Sequence, residues 1–339
     1  MEIPVAPDEE AGQAPRVRSK STLFVVAGFF FILFSIGGGG GIGVFTQFYS
    51  ANSVILRNFW RFQVTLAYLI PVIAIELYFF RPKWRELTMR DALILLIICP
   101  FAFIGWSTCI IFVSRVTLLL HAIVLNNLCG PFILAANLIF RLPIHRLEWQ
   151  GCIVALMGAA AMMFDPAAEK ADGSKASITG DLLALIGAAC GALLYFFQGQ
   201  PRAKVPLATS IAISVFMVLI YFTIAFAFIP EVEFSMDPES GVFGWMDPGQ
   251  LELTVGLGLF SNFFGTAGIL ISMYFVSPVL MSNIMLLEPI SAQILGCVAG
   301  LDKVPGVVSF VGAAVAILGL YIIGRGSGIK ERELAQNPK

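Results

Sequence analysis

FVVAGFFFILFSIGGGGGIGVF, residues 24–45, joins an unbroken apolar run to five consecutive glycines, Gly37 to Gly41, and a sixth at Gly43. An apolar stretch of about 20 residues is long enough to cross a bilayer as a helix. Each glycine inside a helix costs about 1 kcal/mol relative to alanine. The segment therefore predicts a membrane span whose glycines serve a purpose other than helix formation. Basic residues precede it without a small-residue cleavage site after it, so we expect an uncleaved first helix.

The composition of the whole chain agrees with a membrane protein. Of its 339 residues, 58% are hydrophobic and 13% are charged, whereas a soluble domain averages about 25% charged residues. The net charge of −1 offers no general basic surface, so we expect no nucleic-acid partner. All six cysteines lie in apolar segments without CxxC spacing. We interpret them as small buried residues and expect no metal and no cofactor.

Hydropathy predicts an all-α membrane protein with ten transmembrane helices. Lysine and arginine are about three times as frequent on one set of connections as on the other, which favours cytosolic N and C termini. The polar segments are then a cytosolic head (1–21), an external linker (165–178) and a cytosolic tail (325–339). The predicted spans are 22–46, 55–79, 91–113, 117–140, 148–164, 179–198, 206–229, 251–275, 278–300 and 304–324.

The two parts of the chain, 22–164 and 179–324, resemble each other. Five crossings in each part place the two in opposite orientations, which is the inverted repeat common in secondary transporters. The matching positions are Pro131 and Pro289, the pair Gly151 and Gly158 with the pair Gly312 and Gly319, and the pair Gly37 and Gly41 with the pair Gly187 and Gly191.

Three stretches resemble a known family. They are LRNFWRFQVTLAYL (56–69) with its Arg-Phe pair, GDLLALIGAACGALLYFFQ (180–198), and LLEPISAQILGCVAGLDKVPGVVSFVGAAVAILGLYI (286–322) with its Glu-Pro pair. Together with the helix count and the repeat, they resemble the drug/metabolite transporter superfamily of the EamA type. The resemblance implies ten helices around a central pathway through which small solutes move by alternating access. The glycine run of the first helix departs from the family pattern.

Two charged residues are the leading candidates for a substrate site. Glu288 lies about ten residues into its predicted span, where a carboxyl is costly and is expected to be neutral or to exchange protons. Pro289 removes a backbone donor beside it and frees the carbonyl of Met285. Arg61 remains charged, so it either reaches the outer headgroups, binds an anionic solute or pairs with a carboxylate such as Glu288.

Polar and aromatic residues in the spans complete the predicted site. Adjacent Asn126 and Asn127 point about 100° apart on a helix, so we expect at most one to face the pathway squarely. Two interpretations of His121 remain open, a packed or hydrogen-bonded residue and a proton relay. The further predicted contacts are Trp60, Trp106, Tyr195, Asn262 and Asn283.

The glycines and prolines are predicted to control helix packing or bending. Gly37, Gly39, Gly41 and Gly43 form a bare helix face that either admits a neighbouring helix or loosens the helix as a hinge. The further residues placed in this class are Gly187, Gly191, Pro131 and Pro289.

These observations predict a secondary transporter rather than an enzyme. The sequence contains no HExxH, GxSxG or CxxC motif, and the glycine run does not continue into GK[ST]. We expect transport of a small, amino-acid-like or similar organic solute across the plasma membrane or an internal membrane, coupled to protons or driven by exchange. A divalent-cation transporter of the same fold, a multi-pass receptor or assembly subunit, and a homodimer all remain open.

Overall fold

The structure, a computed structural model, describes residues 22–80, 82–139, 141, 144–165, 170, 173, 175–198, 201, 204–268 and 287–336. This part of the chain is helical and contains no β-strand. Six of its helices are long and apolar enough to cross a membrane. The protein is therefore an all-α chain with the character of a multi-pass membrane protein.

The described helices overlap the predicted spans, but residues 269–286, which hold the end of span 251–275 and the start of span 278–300, lie outside the described part of the chain. Two helices contain π-helical turns, Ile94–Ile98 within α3 and Gly258–Gly268 at the end of α8, and α4 is interrupted at Asn127. The helices are α1 (Thr22–Phe45), α2 (Val54–Phe79), α3 (Met89–Val116), α4 (Leu119–Ile139), α5 (Arg146–Met163), α6 (Ile178–Gln198), α7 (Leu207–Phe226), α8 (Pro248–Leu257 with Gly258–Gly268), α9 (Glu288–Val298) and α10 (Val307–Gln336).

Local sequence signals fix several helix starts. Thr88 and Asp91 form a capping box at the start of α3, and His145 and Glu148 form another at α5. Such boxes satisfy backbone N–H groups that have no partner within the helix. At the start of α8, which begins with Pro248, the side chain of Asp247 accepts a hydrogen bond from the backbone N–H of Gly249.

The last helix extends beyond its predicted span. α10 runs past residue 324 to Gln336. Lys330 Nζ and Ser327 Oγ each lie 2.7 Å from Glu148 Oε1, at the start of α5. These contacts give the polar end of α10 a partner that a hydropathy window does not detect.

Small residues bring α5 and α10 into backbone contact. A Cβ added to Gly158 would meet the backbone N of Ala316 and would lie 2.5 Å from the carbonyl of Gly312. A Cβ added to Gly151 would lie 2.6 Å from the carbonyl of Gly319. The seven-residue glycine spacing on each helix thus forms a single close interface, as small residues do between membrane helices.

Connections that are predicted to lie on the same side of the membrane contact one another. At one end Lys170 Nζ donates to the carbonyls of Ser114, Arg115 and Thr117 at 3.0–3.4 Å. At the opposite end Lys204 Nζ lies 2.6 Å from Asp91 Oδ2. At that second end Glu76 also accepts from the backbone N–H groups of Ala208 and Thr209, which start α7.

The segment between α7 and α8 folds into a compact cap over the start of α2. Val242 N donates to the carbonyl of Glu233 at 2.8 Å, and Trp60 Nε1 donates to the carbonyl of Gly241 at 3.0 Å. Within the cap, backbone N–H groups of Ser240 and Glu239 and the Ser240 hydroxyl hold the pKa of Asp237 below its usual value.

The glycine interface predicts opposite effects for two Gly→Ala substitutions. Gly158→Ala drives a Cβ into the backbone of α10, so we expect overpacking to cost about 1–3 kcal/mol. Gly256→Ala is the matched control, because nothing lies within 4 Å of its added Cβ. We expect it to be neutral or to stabilise by up to about 1 kcal/mol. Thermal unfolding of the detergent-solubilised variants measures both, and equal melting temperatures would contradict the interface.

Candidate functional site

The carboxyl group of Glu288 lies where α1, α4 and α9 meet. It is 7% exposed, and Oε2 accepts from Asn127 Nδ2 at 3.3 Å. On the other side, Oε1 lies 2.7 Å from the position of a Cβ added to Gly39. Within the described residues no cation pairs with this carboxyl, so a buried acid is held by a single neutral amide. Such a group is costly and is retained in membrane proteins chiefly for function.

The glycine run of α1 forms the wall behind this carboxyl. Gly38 touches the carbonyl of Phe260, and its added Cβ would lie 2.7 Å from the backbone N of Gly265 in α8. Gly40 is equally close to α9, because its added Cβ would lie 2.7 Å from the backbone N of Ala292. α1 remains helical throughout the run, so its geometry fits close packing.

The remaining glycines of the run contact side chains. An added Cβ would lie 2.9 Å from the Phe260 ring at Gly37 and 3.0 Å from Ser114 Cβ at Gly43, and at Gly41 it would lie 2.5 Å from the Phe45 ring. Side chains can shift where backbone cannot. Gly38 and Gly40 are therefore the positions that most strictly require glycine.

The two prolines lie at helix starts. Pro289 falls in the first turn of α9, where its missing N–H breaks no helical hydrogen bond. Pro131 is buried near the start of the second part of α4, just after the interruption at Asn127. Met285, whose carbonyl was expected to be freed by Pro289, is outside the described residues.

Two buried polar side chains in this region have unused hydrogen-bonding groups. Among the described residues, neither amide atom of Asn126 has a hydrogen-bond partner, and neither does Nε1 of Trp106. Both side chains lie against α6: the Asn126 amide oxygen contacts Gly187, and a Cβ added to Gly191 would lie 2.9 Å from Trp106 Cδ1. Buried polar groups are nearly always satisfied in native proteins, so these two side chains are exceptions that packing alone does not explain.

Arg61 is fully enclosed between α2 and α3. Its Nη1 donates to Ser107 Oγ at 2.7 Å, and Ser107 donates in turn to Asn58 Oδ1 at 2.6 Å. The amide of Asn58 donates to Thr108 Oγ1 at 3.0 Å. The guanidinium carbon lies 5.4 Å from the centre of the Phe62 ring. The structure thus shows no ion pair between Arg61 and Glu288.

Three further predicted residues contact other side chains or backbone groups of the protein rather than Glu288. Trp60 holds the cap through Gly241 and packs edge-to-face on Tyr49, with ring centres 5.9 Å apart. Asn262 Nδ2 lies 3.5 Å from the Tyr49 hydroxyl. His121 bonds to Asp181 and Ser309, away from Glu288. The side chain of Tyr195 and the whole of Asn283 fall outside the described part of the chain.

The structure therefore separates the predicted residues into groups. Glu288 and Asn127 are joined directly, with Asn126 on the same turn of α4 as Asn127. The partners of Arg61 were missed by sequence reasoning, although Asn58 precedes it by three residues, a spacing that places both on one helix face. No comparable signal marks Ser107.

Comparisons with known proteins identify the fold and no more. No family model matches the chain, and no curated protein matches it. A solved structure described only as "Crystal structure of protein" is similar with a TM-score of 0.54 and 15% identity, over 91% of this chain and 99% of that chain. The similarity shows that the two chains share an arrangement of helices over nearly their whole lengths.

Adjacent glycines of α1 provide a direct test of this geometry. Gly40→Ala pushes against the backbone of α9, so we expect a loss of about 1–3 kcal/mol of stability. Gly39→Ala pushes only against the flexible end of Glu288, so we expect a smaller loss of stability and a displaced carboxyl. Thermal unfolding of both variants checks the order, and a larger loss for Gly39→Ala would contradict it.

Proposed function

We propose that this protein is a secondary transporter of the drug/metabolite type, which moves a small organic solute across a membrane by alternating access. The observation that carries the proposal is the buried Glu288 carboxyl at the junction of three helices, held by one neutral amide. An apolar residue at this position would avoid the cost of burying a carboxyl group, so packing alone does not account for Glu288. Binding of a solute or of a proton would account for it.

We propose that the ten predicted helices form two inverted five-helix repeats, and the packing supports this. If helices one to five correspond to helices six to ten, each contact should have a counterpart. α1 packs on α8 and α9, and α6 packs on α3 and α4. If each helix is replaced by its counterpart in the other half, the contacts of α1 become those of α6. The pairs α2 with α7 and α5 with α10 are their own counterparts.

The solute would bind against α4 in this scheme. Asn127 and Glu288 supply a donor and an acidic group, and Asn126 and Trp106 supply unused polar atoms. This set suits a solute that both donates and accepts hydrogen bonds, such as an amino-acid-like metabolite. Arg61 would contribute positive charge rather than direct contact, because Ser107 and Phe62 already hold its guanidinium.

The glycine-lined contact of α1 with α8 and α9 would allow the site to open to one side of the membrane and then to the other. Gly38 and Gly40 place bare helix backbone against α8 and α9 without interlocking side chains. Helices that meet through small residues approach closely while presenting few side chains that must unpack on sliding. Rigid-body movement of one half against the other is the usual form of alternating access.

The proposal is tested with purified protein in liposomes. A thermal-shift panel of metabolites first identifies a solute, because a ligand of the native state raises apparent stability by mass action. Uptake of that labelled solute is then measured as a function of pH. The wild-type protein should transport it, whereas the absence of any binding or exchange across chemically diverse panels would contradict a transporter.

Glu288→Gln separates proton coupling from solute binding. The amide keeps the size of the side chain but cannot exchange a proton, so we expect exchange to persist while its pH dependence is lost. Glu252→Gln, at an exposed glutamate in α8, is the matched control and should behave like wild type. Unchanged pH dependence in Glu288→Gln would remove Glu288 as the coupling residue.

A further inference from the structure

A buried chain of polar contacts joins three helices away from the Glu288 site. His121, in the first turn of α4, is fully enclosed by protein. Its Nδ1 lies 3.3 Å from Asp181 Oδ2 in α6, and its Nε2 lies 3.0 Å from Ser309 Oγ in α10. Ser309 continues to Asp165, whose Oδ2 accepts from the Ser309 amide at 2.9 Å and from its hydroxyl at 2.5 Å. We call His121, Asp181, Ser309 and Asp165 the His121 network.

The hydrogens available to this network can be counted. Three side-chain contacts lie in line, Asp181 to His121, His121 to Ser309 and Ser309 to Asp165, and each needs one hydrogen between its two atoms. A neutral imidazole supplies one hydrogen, the Ser309 hydroxyl supplies one, and ionised carboxylates supply none. Two hydrogens cannot serve three contacts. One contact would bring two lone pairs together unless the network holds a further proton.

This count does not depend on where each hydrogen sits. The extra proton can reside on the imidazole or on either carboxyl group, and the total is the same in each case. Thr117 lies outside the count, because its hydroxyl brings its own hydrogen to Asp181 Oδ1 at 2.8 Å.

We propose that the His121 network is a proton-binding site, in which one bound proton holds the start of α4 to α6 and α10. Loss of the proton leaves one contact repulsive and loosens this end of the bundle. The network is a second proton site, separate from Glu288, and it stands whether or not the protein transports a solute.

Further charged groups approach the network from the segments packed against this end of α4. Asp302 approaches from the segment after α9, where its Oδ2 accepts from Leu119 N at 2.6 Å. Lys170, in the segment after α5, brings a positive charge to the same region, where its Nζ donates to the carbonyl of Thr117 at 3.4 Å. Glu288, in α9, contacts Asn127, which lies further along α4. Within the described residues, Asp302 and Glu288 thus add two carboxyl groups to the surroundings of the network, and Lys170 adds one lysine.

The test is thermal unfolding of the full chain in detergent from about pH 6 to about pH 9, a range that begins below the ordinary histidine pKa of about 6.5. Above that value the unfolded chain binds fewer protons than the folded network, so the wild-type melting temperature should fall as pH rises. Asp181→Asn supplies the missing hydrogen permanently, since its amide donates to the imidazole and its carbonyl still accepts from Thr117. We expect a flatter pH profile for this variant.

Two further variants keep the test falsifiable. Ser309→Ala leaves only the Asp181–His121 contact, which a neutral imidazole can serve, so its profile should also be flatter. Thr117→Val removes a contact that needs no extra proton, so its melting temperature should be lower at every pH with the wild-type slope. Wild-type and Asp181→Asn profiles that run parallel would overturn the proposal.

A spectroscopic measurement covers failure of the variants to fold. The chain has two histidines, so ¹⁵N-histidine labelling of a His145→Gln protein reports His121 alone. At about pH 7 we expect both ring nitrogens to be protonated or hydrogen-bonded. A bare ring nitrogen at either position, Nδ1 or Nε2, would overturn the proposal. Repeating the profiles in Glu288→Gln should leave the Asp181→Asn difference unchanged, which separates this site from the proposed transport function.

Discussion

The close approach of α1 to α8 and α9 is the constraint on which the rest of the structure depends. Gly38 and Gly40 have no side chain to hold the helices apart, so the backbones come within van der Waals contact. This approach places Gly39 directly against the carboxyl of Glu288 and closes the space behind it. Each glycine weakens the isolated helix by about 1 kcal/mol. In the folded protein this loss is offset by the packing that only glycine permits.

The polar groups inside the bundle differ in how fully they are satisfied. Arg61, Asn58 and Ser107 form a connected set, as do His121, Asp181 and Ser309. Connected sets of this kind fix helices in one arrangement, because breaking one member leaves another unpaired in a medium without water. Glu288 and Asn126 are different, since little or nothing described binds them.

Much of this fold follows from hydropathy and small-residue spacing. The apolar runs place the helices, and the paired glycines on α5 and α10, seven residues apart on each, meet in one interface. Glu288 stands out in sequence because an acid in an apolar run is costly. The partners of Arg61 and His121 do not stand out, since Ser107 and Ser309 are ordinary small residues in apolar helices. Their roles depend on which helices become neighbours, and a single sequence does not state that.

The central claim is that Asn126 and Glu288 line a site that opens alternately to the two sides of the membrane. Its most direct test is thiol labelling of Asn126→Cys in proteoliposomes with a membrane-impermeant reagent, added outside or enclosed inside, against the unmodified chain as background. The account predicts labelling from both sides, slowed in each case by a solute that raises the thermal stability of the protein. Labelling from neither side, or from both sides at a rate that no such solute changes, would contradict it.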